Sequence, residues 1–292
     1  MSALCGAFGF TRQAYYKLLK SKSKEKETNK KVLEMVQLAR KRIPCIGTVK
    51  VYGKIKPKLN REAIKMGREK LNKLLREERM LVRPKKRFTR TTDSNHRFKK
   101  WPNLIKDMKI TAPEQVWVSD ITYISTRKGF MYLFLVTDAY SKQIMGYHLG
   151  DSLKVENAHK ALKQAMSNRR YPDRELIHHS DRGLQYSHPS YIKLEQDNGI
   201  KPSMTTKYDP YENAVAERVN GILKSEFDVG GIFPSAEMAN REVKTAIQIY
   251  NYERPHMSCQ MMTPWEAHRH GKYELKKWKK RILSPVMTGD KN

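Results

Sequence analysis

The chain has 292 residues, with 58 Lys and Arg against 30 Asp and Glu and a formal net charge of +28. That length allows one or two domains with cores that need no staples. From the three scattered cysteines, Cys5, Cys45 and Cys259, neither a disulfide framework nor a four-ligand zinc site can be read, and the absence of a long apolar run or a leader-like N-terminus predicts a cytoplasmic chain with no membrane partner.

The charge is uneven. Residues 1–100 hold 30 basic against 8 acidic residues and residues 101–292 hold 28 against 22, so the net charges are +22 and +6. A segment that basic suits a polyanion through phosphate neutralisation, with nucleic acid the leading partner and an anionic membrane surface or a merely solvated helical surface the alternatives.

In chain order, "FGFTRQAYYKLL" predicts a short helical turn region, and a helix follows in which Val32, Met35, Val36 and Ala39 recur at the helical interval. Helices near 50–56 and 67–78, the second carrying Arg and Lys, form a helix-turn-helix-like pattern whose second helix suits a major groove. Residues 1–82 are therefore expected to be a basic helical DNA-binding region. Residues 83–112 lose apolar periodicity while basic residues, threonines and prolines accumulate, which predicts a linker along a phosphate backbone.

From residue 113 the pattern changes. "QVWVSDITYIS", "FMYLFLVTDAYS" and "KQIMGYHLG" predict three adjacent strands. "VENAHKALKQAMSNR" follows as a helix with Val155, Ala158, Leu162 and Ala165 on one face, then "ELIHHSD" as a strand, "HPSYIKLEQDNGI" as a helix ending at Asn198-Gly199, and "KPSMTT" as a short strand. Asp209-Pro210 marks the start of another helix. This order predicts an α/β core with a mixed sheet over 113–270, followed by a basic tail, 271–292.

Three acidic residues stand where such a sheet can gather them. Asp120 lies among apolar neighbours, where an ionised carboxylate is costly without a partner. Asp181 ends the strand "LIHHSD", and Glu217 shares one helix face with Asn213 and Lys224 while Val215, Val219 and Ile222 form another. Taken singly, an Asp at a strand end is more often a turn former or helix cap than a ligand, Glu217 is equally readable as a solvated charge, and Asp138 in "DAYSK" competes with Asp120 although it resembles a hairpin turn. His178 and His179 could ligate a metal, but neighbours on a strand point to opposite faces, so they do not easily share one ion.

"WVSDITYI", "HSDRGLQY", "NAVAERVNGILKSE" and "YNYERPH…TPWEAH" occur together and in order, and this set resembles the catalytic region of insertion-sequence-three family transposases, second-frame product. Asp181 and Glu217 have 35 residues between them, the interval typical of this Asp, Asp, Glu class. "FGFTRQAYYK" and the helix-turn-helix stretch extend the likeness to about residues 4–270; Ser258-Cys259-Gln260 departs from the small-apolar pair expected there. The resemblance implies an RNase H-like integrase core in which Asp120, Asp181 and Glu217 are the catalytic residues and hold two Mg²⁺ or Mn²⁺ ions. It implies that Lys224, Asn213, Arg182 and Gln185 contact nucleic acid, and that the two histidines are structural or outer-shell groups.

The implied chemistry is that of a DNA transposase, metal-dependent cleavage of element ends followed by 3′-hydroxyl strand transfer, through a joined-end intermediate. The implied partners are the terminal inverted repeats, target DNA, further copies of the chain and the product of the upstream frame, in the bacterial cytoplasm at the nucleoid. No sustained heptad pattern is present at the N-terminus, so full end binding is expected to need the fused form. A non-catalytic DNA-binding regulator or an inactive remnant is the alternative, and a nuclease that hydrolyses without joining is a third.

Overall fold

The structure is a computed structural model and describes residues 6–7, 9, 11–82, 97–206, 212–271 and 273. The expected basic tail, the helix start at Asp209-Pro210 and residues 83–96 of the expected linker lie outside the described residues, apart from Gly271 and Tyr273.

The helical region contains α1 (Arg12–Arg42), α2 (Thr48–Arg61) and α3 (Arg68–Glu77). Residues 12–42 contain no Gly or Pro, so the expected turn region and helix are one continuous helix. The Thr11 hydroxyl accepts from the Ala14 amide to cap its start, and Arg40, Lys41 and Arg42 complement the dipole at its end. Helix α2 runs past its expected end with Pro57 inside it. An internal proline costs about 3 kcal/mol, but the stripe Val51, Ile55 and Leu59 is buried, and each such side chain returns about 1.5–3 kcal/mol. These residues close a core with Val32, Met35, Val36, Leu71, Leu74 and Leu75.

The second region is a mixed sheet. β1 (Val116–Thr126), β2 (Gly129–Asp138) and β3 (Ile144–Gly150) form an antiparallel meander, while β4 (Leu176–Ser180) and β5 (Ile200–Met204) add in parallel beside β1, giving the order β3-β2-β1-β4-β5. A two-residue strand, β6 (Ile232–Phe233), pairs with the far end of β1. The crossover helix α4 (Val155–Ser167) joins β3 to β4, and the short helices α5 (Leu184–Ser187) and α6 (Pro189–Asp197) join β4 to β5. Gly146 sits so close to α4 that a Cβ there would lie 2.1 Å from the Ala161 carbonyl oxygen.

One sheet face buries Trp117, Phe134 and Val136 against Leu162, Ala165 and Tyr191. The other buries Ile124, Leu133 and Leu135 against α7 (Ala214–Glu226) and α8 (Ala236–Tyr252), through Val219, Ile222, Val243 and Tyr250. A last helix, α9 (Pro264–His270), starts with a Thr263–Glu266 capping box and ends at Gly271 in the left-handed region. At the departing Ser258-Cys259-Gln260 the chain makes a 3₁₀ turn that buries Cys259 and puts Gln260 at φ 54°.

The expected linker needs correction in its second half. Residues 101–112 are bound to the sheet: the Met204 amide donates to the Pro102 carbonyl, the Leu104 amide donates to the Ser203 hydroxyl, and Ile105 and Ile110 pack beside Val116 and Val118.

Candidate active site

The pairing of β1 with β4 runs Val116 to Ile177, Trp117 to His178 and Val118 to His179. Continuing that register by two residues sets Asp181, just past the end of β4, beside Asp120. Two adjacent interior strands from distant parts of the chain thereby bring two carboxylates together where β4 ends beside the middle of β1. Asp181 is held in its turn by the Gly183 amide, which donates to its Oδ1 at 3.0 Å. A Cβ on Gly183 would meet that same oxygen at 3.0 Å, so a glycine suits the turn.

Helix α7 lies over this pair. The Asn213 side-chain amide donates to the Ser119 carbonyl at 2.9 Å, and two turns on the Asn220 amide donates to Asp120 Oδ2 at 2.8 Å. Glu217 falls between them on the same stripe, in the first turn of the helix, and Lys224 lies one turn beyond Asn220. Burial pushes the Asp120 carboxyl up to about 7, helped by the negative charges of Asp181 and Glu217 and opposed by hydrogen bonds from Asn220 and the Ile121 amide. Burial lowers the Lys224 ammonium and the charge of Asp120 offsets part of that. The three acids and the lysine thus share one electrostatic neighbourhood. Among the described residues, however, no three His, Cys, Asp or Glu side chains form a set that could hold a metal ion.

The other expected residues are placed differently. Asn213 is buried and its side-chain amide is bound to β1, so it anchors the start of α7. Arg182 donates from Nε to the Thr205 carbonyl at 2.7 Å and from its terminal nitrogen to the Thr206 carbonyl, and Gln185 donates to the Leu153 carbonyl at 2.8 Å. Both bind the main chain around the site. Asp138 is buried in the β2–β3 turn, where it accepts from the Glu114 and Ser141 amides and the Ser141 hydroxyl.

The two histidines face opposite ways. His178 Nε2 lies 2.5 Å from the Ser119 hydroxyl and its Nδ1 2.5 Å from the Glu195 carboxylate, all three residues being buried. His179 Nδ1 lies 2.9 Å from the Ser203 hydroxyl, and burial, with His178 beside it, pushes its imidazole down to about 4. Each is thus committed to holding a strand. Asn220 and the His178–Glu195 pair were not anticipated. The signal for Asn220 was its position three residues after Glu217 on the same helix face.

Residues 110–210 and 198–264 each match an Integrase core domain family. Over 266 residues, covering 89% of this chain and 96% of the relative, the chain is 34% identical to the insertion element IS600 uncharacterized 31 kDa protein of Shigella sonnei. It is 31% identical over 225 residues, 74% of this chain and 81% of the relative, to the putative transposase for insertion sequence element IS986/IS6110 of Mycobacterium tuberculosis. It is also 31% identical over 192 residues, 65% and 66% of the two chains, to transposase InsF for insertion sequence IS3A of Escherichia coli. Among solved structures, the HTLV-2 integrase catalytic core domain in complex with magnesium is similar at 19% identity and TM-score 0.43, over 53% of this chain and 97% of that one.

Proposed function

The chain belongs to the insertion-sequence transposases of the insertion-sequence-three family, with an RNase H-like integrase core, and from that premise we propose that Asp120, Asp181 and Glu217 are its catalytic metal ligands. The observation that carries this reading is the continuing β1–β4 register, which sets Asp120 beside Asp181 beneath the helix that bears Glu217. Burial, and after it the neighbouring carboxylates, push Asp120 toward protonation; a site of this kind favours a divalent cation, and its hard oxygens suit Mg²⁺ or Mn²⁺. Two such ions, when bound, supply activation of the attacking oxygen and stabilisation of the leaving one.

The chain's own groups divide the remaining work. Asn220 orients the Asp120 carboxylate, Asn213 fixes the start of α7, and Lys224 neutralises a phosphate oxygen beside the scissile bond. Arg182 and Gln185 hold the flanking chain at Thr205, Thr206 and Leu153. Water attacks the phosphodiester at an element end and a 3′-hydroxyl departs; that hydroxyl then attacks a phosphodiester of target DNA and displaces another 3′ oxygen. The helical region binds the terminal inverted repeats, with the exposed Arg68, Lys70, Lys73 and Arg76 of α3 toward the duplex. Joining two ends requires more than one copy, and the product of the upstream frame completes end recognition. Among the described residues no helix is long and apolar enough to cross a membrane.

The test is Mg²⁺- or Mn²⁺-dependent cleavage and joining of DNA carrying the ends of the element that encodes the chain, comparing wild type, fused to the upstream frame, with Asp181→Ala and Glu217→Ala. Released and joined 3′ ends from wild type, with both variants binding but inert, support the reading. Binding without metal-dependent chemistry overturns it in favour of a DNA-binding regulator.

A further inference from the structure

The helix that carries Glu217 is held at its other end by a residue of the helical region. Glu226, in the last turn of α7, accepts two hydrogen bonds from the Arg254 guanidinium, both 2.8 Å, and one from the Lys50 ammonium of α2. Its own carbonyl accepts from the Cys45 amide at 3.0 Å. Burial pushes the Glu226 carboxyl up, but Arg254 and Lys50 together outweigh it and hold the group below its usual range. Arg254 is itself 1% exposed. Around this hub the two regions meet closely: Arg42 pairs with Glu253, Lys54 donates to the Glu253 carbonyl at 2.9 Å, and Ile249 of α8 belongs to the core of the helical region. A Cβ on Gly53 of α2 would lie 2.7 Å from Met261, so the contact extends to the loop before α9.

We propose that Lys50 and Glu226 are positioning residues that latch the helical region onto the catalytic helix, so that engagement of an element end by the former sets the placement of Glu217 in the latter. The latch rests on the proposed catalytic role of Glu217. Asn213 and Asn220 tie the start and middle turns of α7 to β1, whereas Glu226 in its last turn is held both by Arg254 and by Lys50 of α2, so the far end of the helix is shared between the two regions. Lys50 donates from the opposite region across 176 residues of sequence. It touches neither Glu217 nor the aspartates in any bond described above, so its effect on chemistry passes through the helix.

The experiment uses the full chain carrying Lys50→Met, which removes the latch and leaves the Arg254–Glu226 pair intact, and Lys50→Arg, which restores a cation. Hydrogen exchange without DNA reads the latch directly. In Lys50→Met, exchange of the Cys45 amide and the last turn of α7 accelerates about tenfold or more, while β1 and β2 stay protected, and Lys50→Arg returns it toward wild type. In single-turnover cleavage of element ends by the chain fused to the upstream frame, Lys50→Met slows the rate about tenfold or more with affinity within about twofold, because a small misplacement of a reacting group is costly in rate. Unchanged exchange at Cys45, or a loss of affinity with an intact rate, overturns the latch. The exchange measurement decides the docking whether or not wild type cleaves DNA, so its failure is distinct from failure of the catalytic reading.

Discussion

Asp120→Asn is expected to make the metal-free protein more stable while abolishing its chemistry. In the folded chain the Asp120 carboxyl is pushed from 3.8 up to about 7, chiefly by burial and then by Asp181. A raised carboxyl pKa means the folded state holds its proton more tightly than the unfolded state, so stability is greatest at low pH and falls as pH rises between the two values. Linkage over that window gives a cost of about 2 kcal/mol near about pH 5 and about 4 kcal/mol near about pH 8, before solvent screening of a partly open carboxylate trims both. The neutral amide avoids the cost. Asn220 donates to Asp120 Oδ2 while its own Oδ1 is buried without a partner, so a flip of its amide can meet the new donor. Urea unfolding in EDTA is the assay. The gap between Asp120→Asn and wild type should widen by about 2–3 kcal/mol from the lower to the higher pH. Added Mg²⁺ should stabilise wild type and leave the variant unmoved, since only an intact site gains by binding. A gap that is constant with pH, or a variant less stable than wild type at the higher pH, would refute the account of Asp120.

Gly146→Ala drives a Cβ into the backbone of α4, 2.1 Å from the Ala161 carbonyl and 2.6 Å from the Ala165 nitrogen, and should lower stability by about 3 kcal/mol or more, read as a shifted urea midpoint with unchanged slope. His178→Phe leaves the buried Glu195 carboxylate without its imidazole, and should cost about 3–5 kcal/mol; a loss under about 1 kcal/mol would mean that this pair does not hold β4 to α6. Asn220→Ala removes a hydrogen bond that lowers the Asp120 carboxyl, so its midpoint in metal-free titration should move further up. The cleavage rate of that variant should fall about tenfold or more with little change in affinity for DNA, and an unaltered rate would remove Asn220 from the site.

How much of this was legible follows the range of the interactions. Strands β1 to β5 and helices α4 and α6 were readable because each carries its signal locally, in alternation, in helical spacing or in the Asn198-Gly199 stop, where Gly199 adopts φ 69°. Asp120 was readable as an acid among apolar neighbours and Asp181 as the residue that ends an apolar run, and the offset that aligns them is constant along three paired positions. Glu217 and Lys224 followed from one helix face. What local pattern does not carry is the choice of partner. His178 could be read as a ligand or a support until Glu195 and Ser119 were found on either side of it. Arg182 and Gln185 have the chemistry of phosphate contacts, yet the fold supplies main-chain carbonyls within their reach, and a buried or half-buried donor takes the nearest acceptor. Helix α8 carries apolar residues that serve two cores at once, Val243 on the sheet and Ile249 on the helical region, so no single stripe announces its role. The Lys50–Glu226 contact lies further from local pattern still, since nothing near either residue names the other. The proposed catalytic groups are therefore specified by short segments, whereas their alignment is specified by contacts between distant ones, and substitutions far from Asp120 in sequence should reach the proposed chemistry mainly through α7.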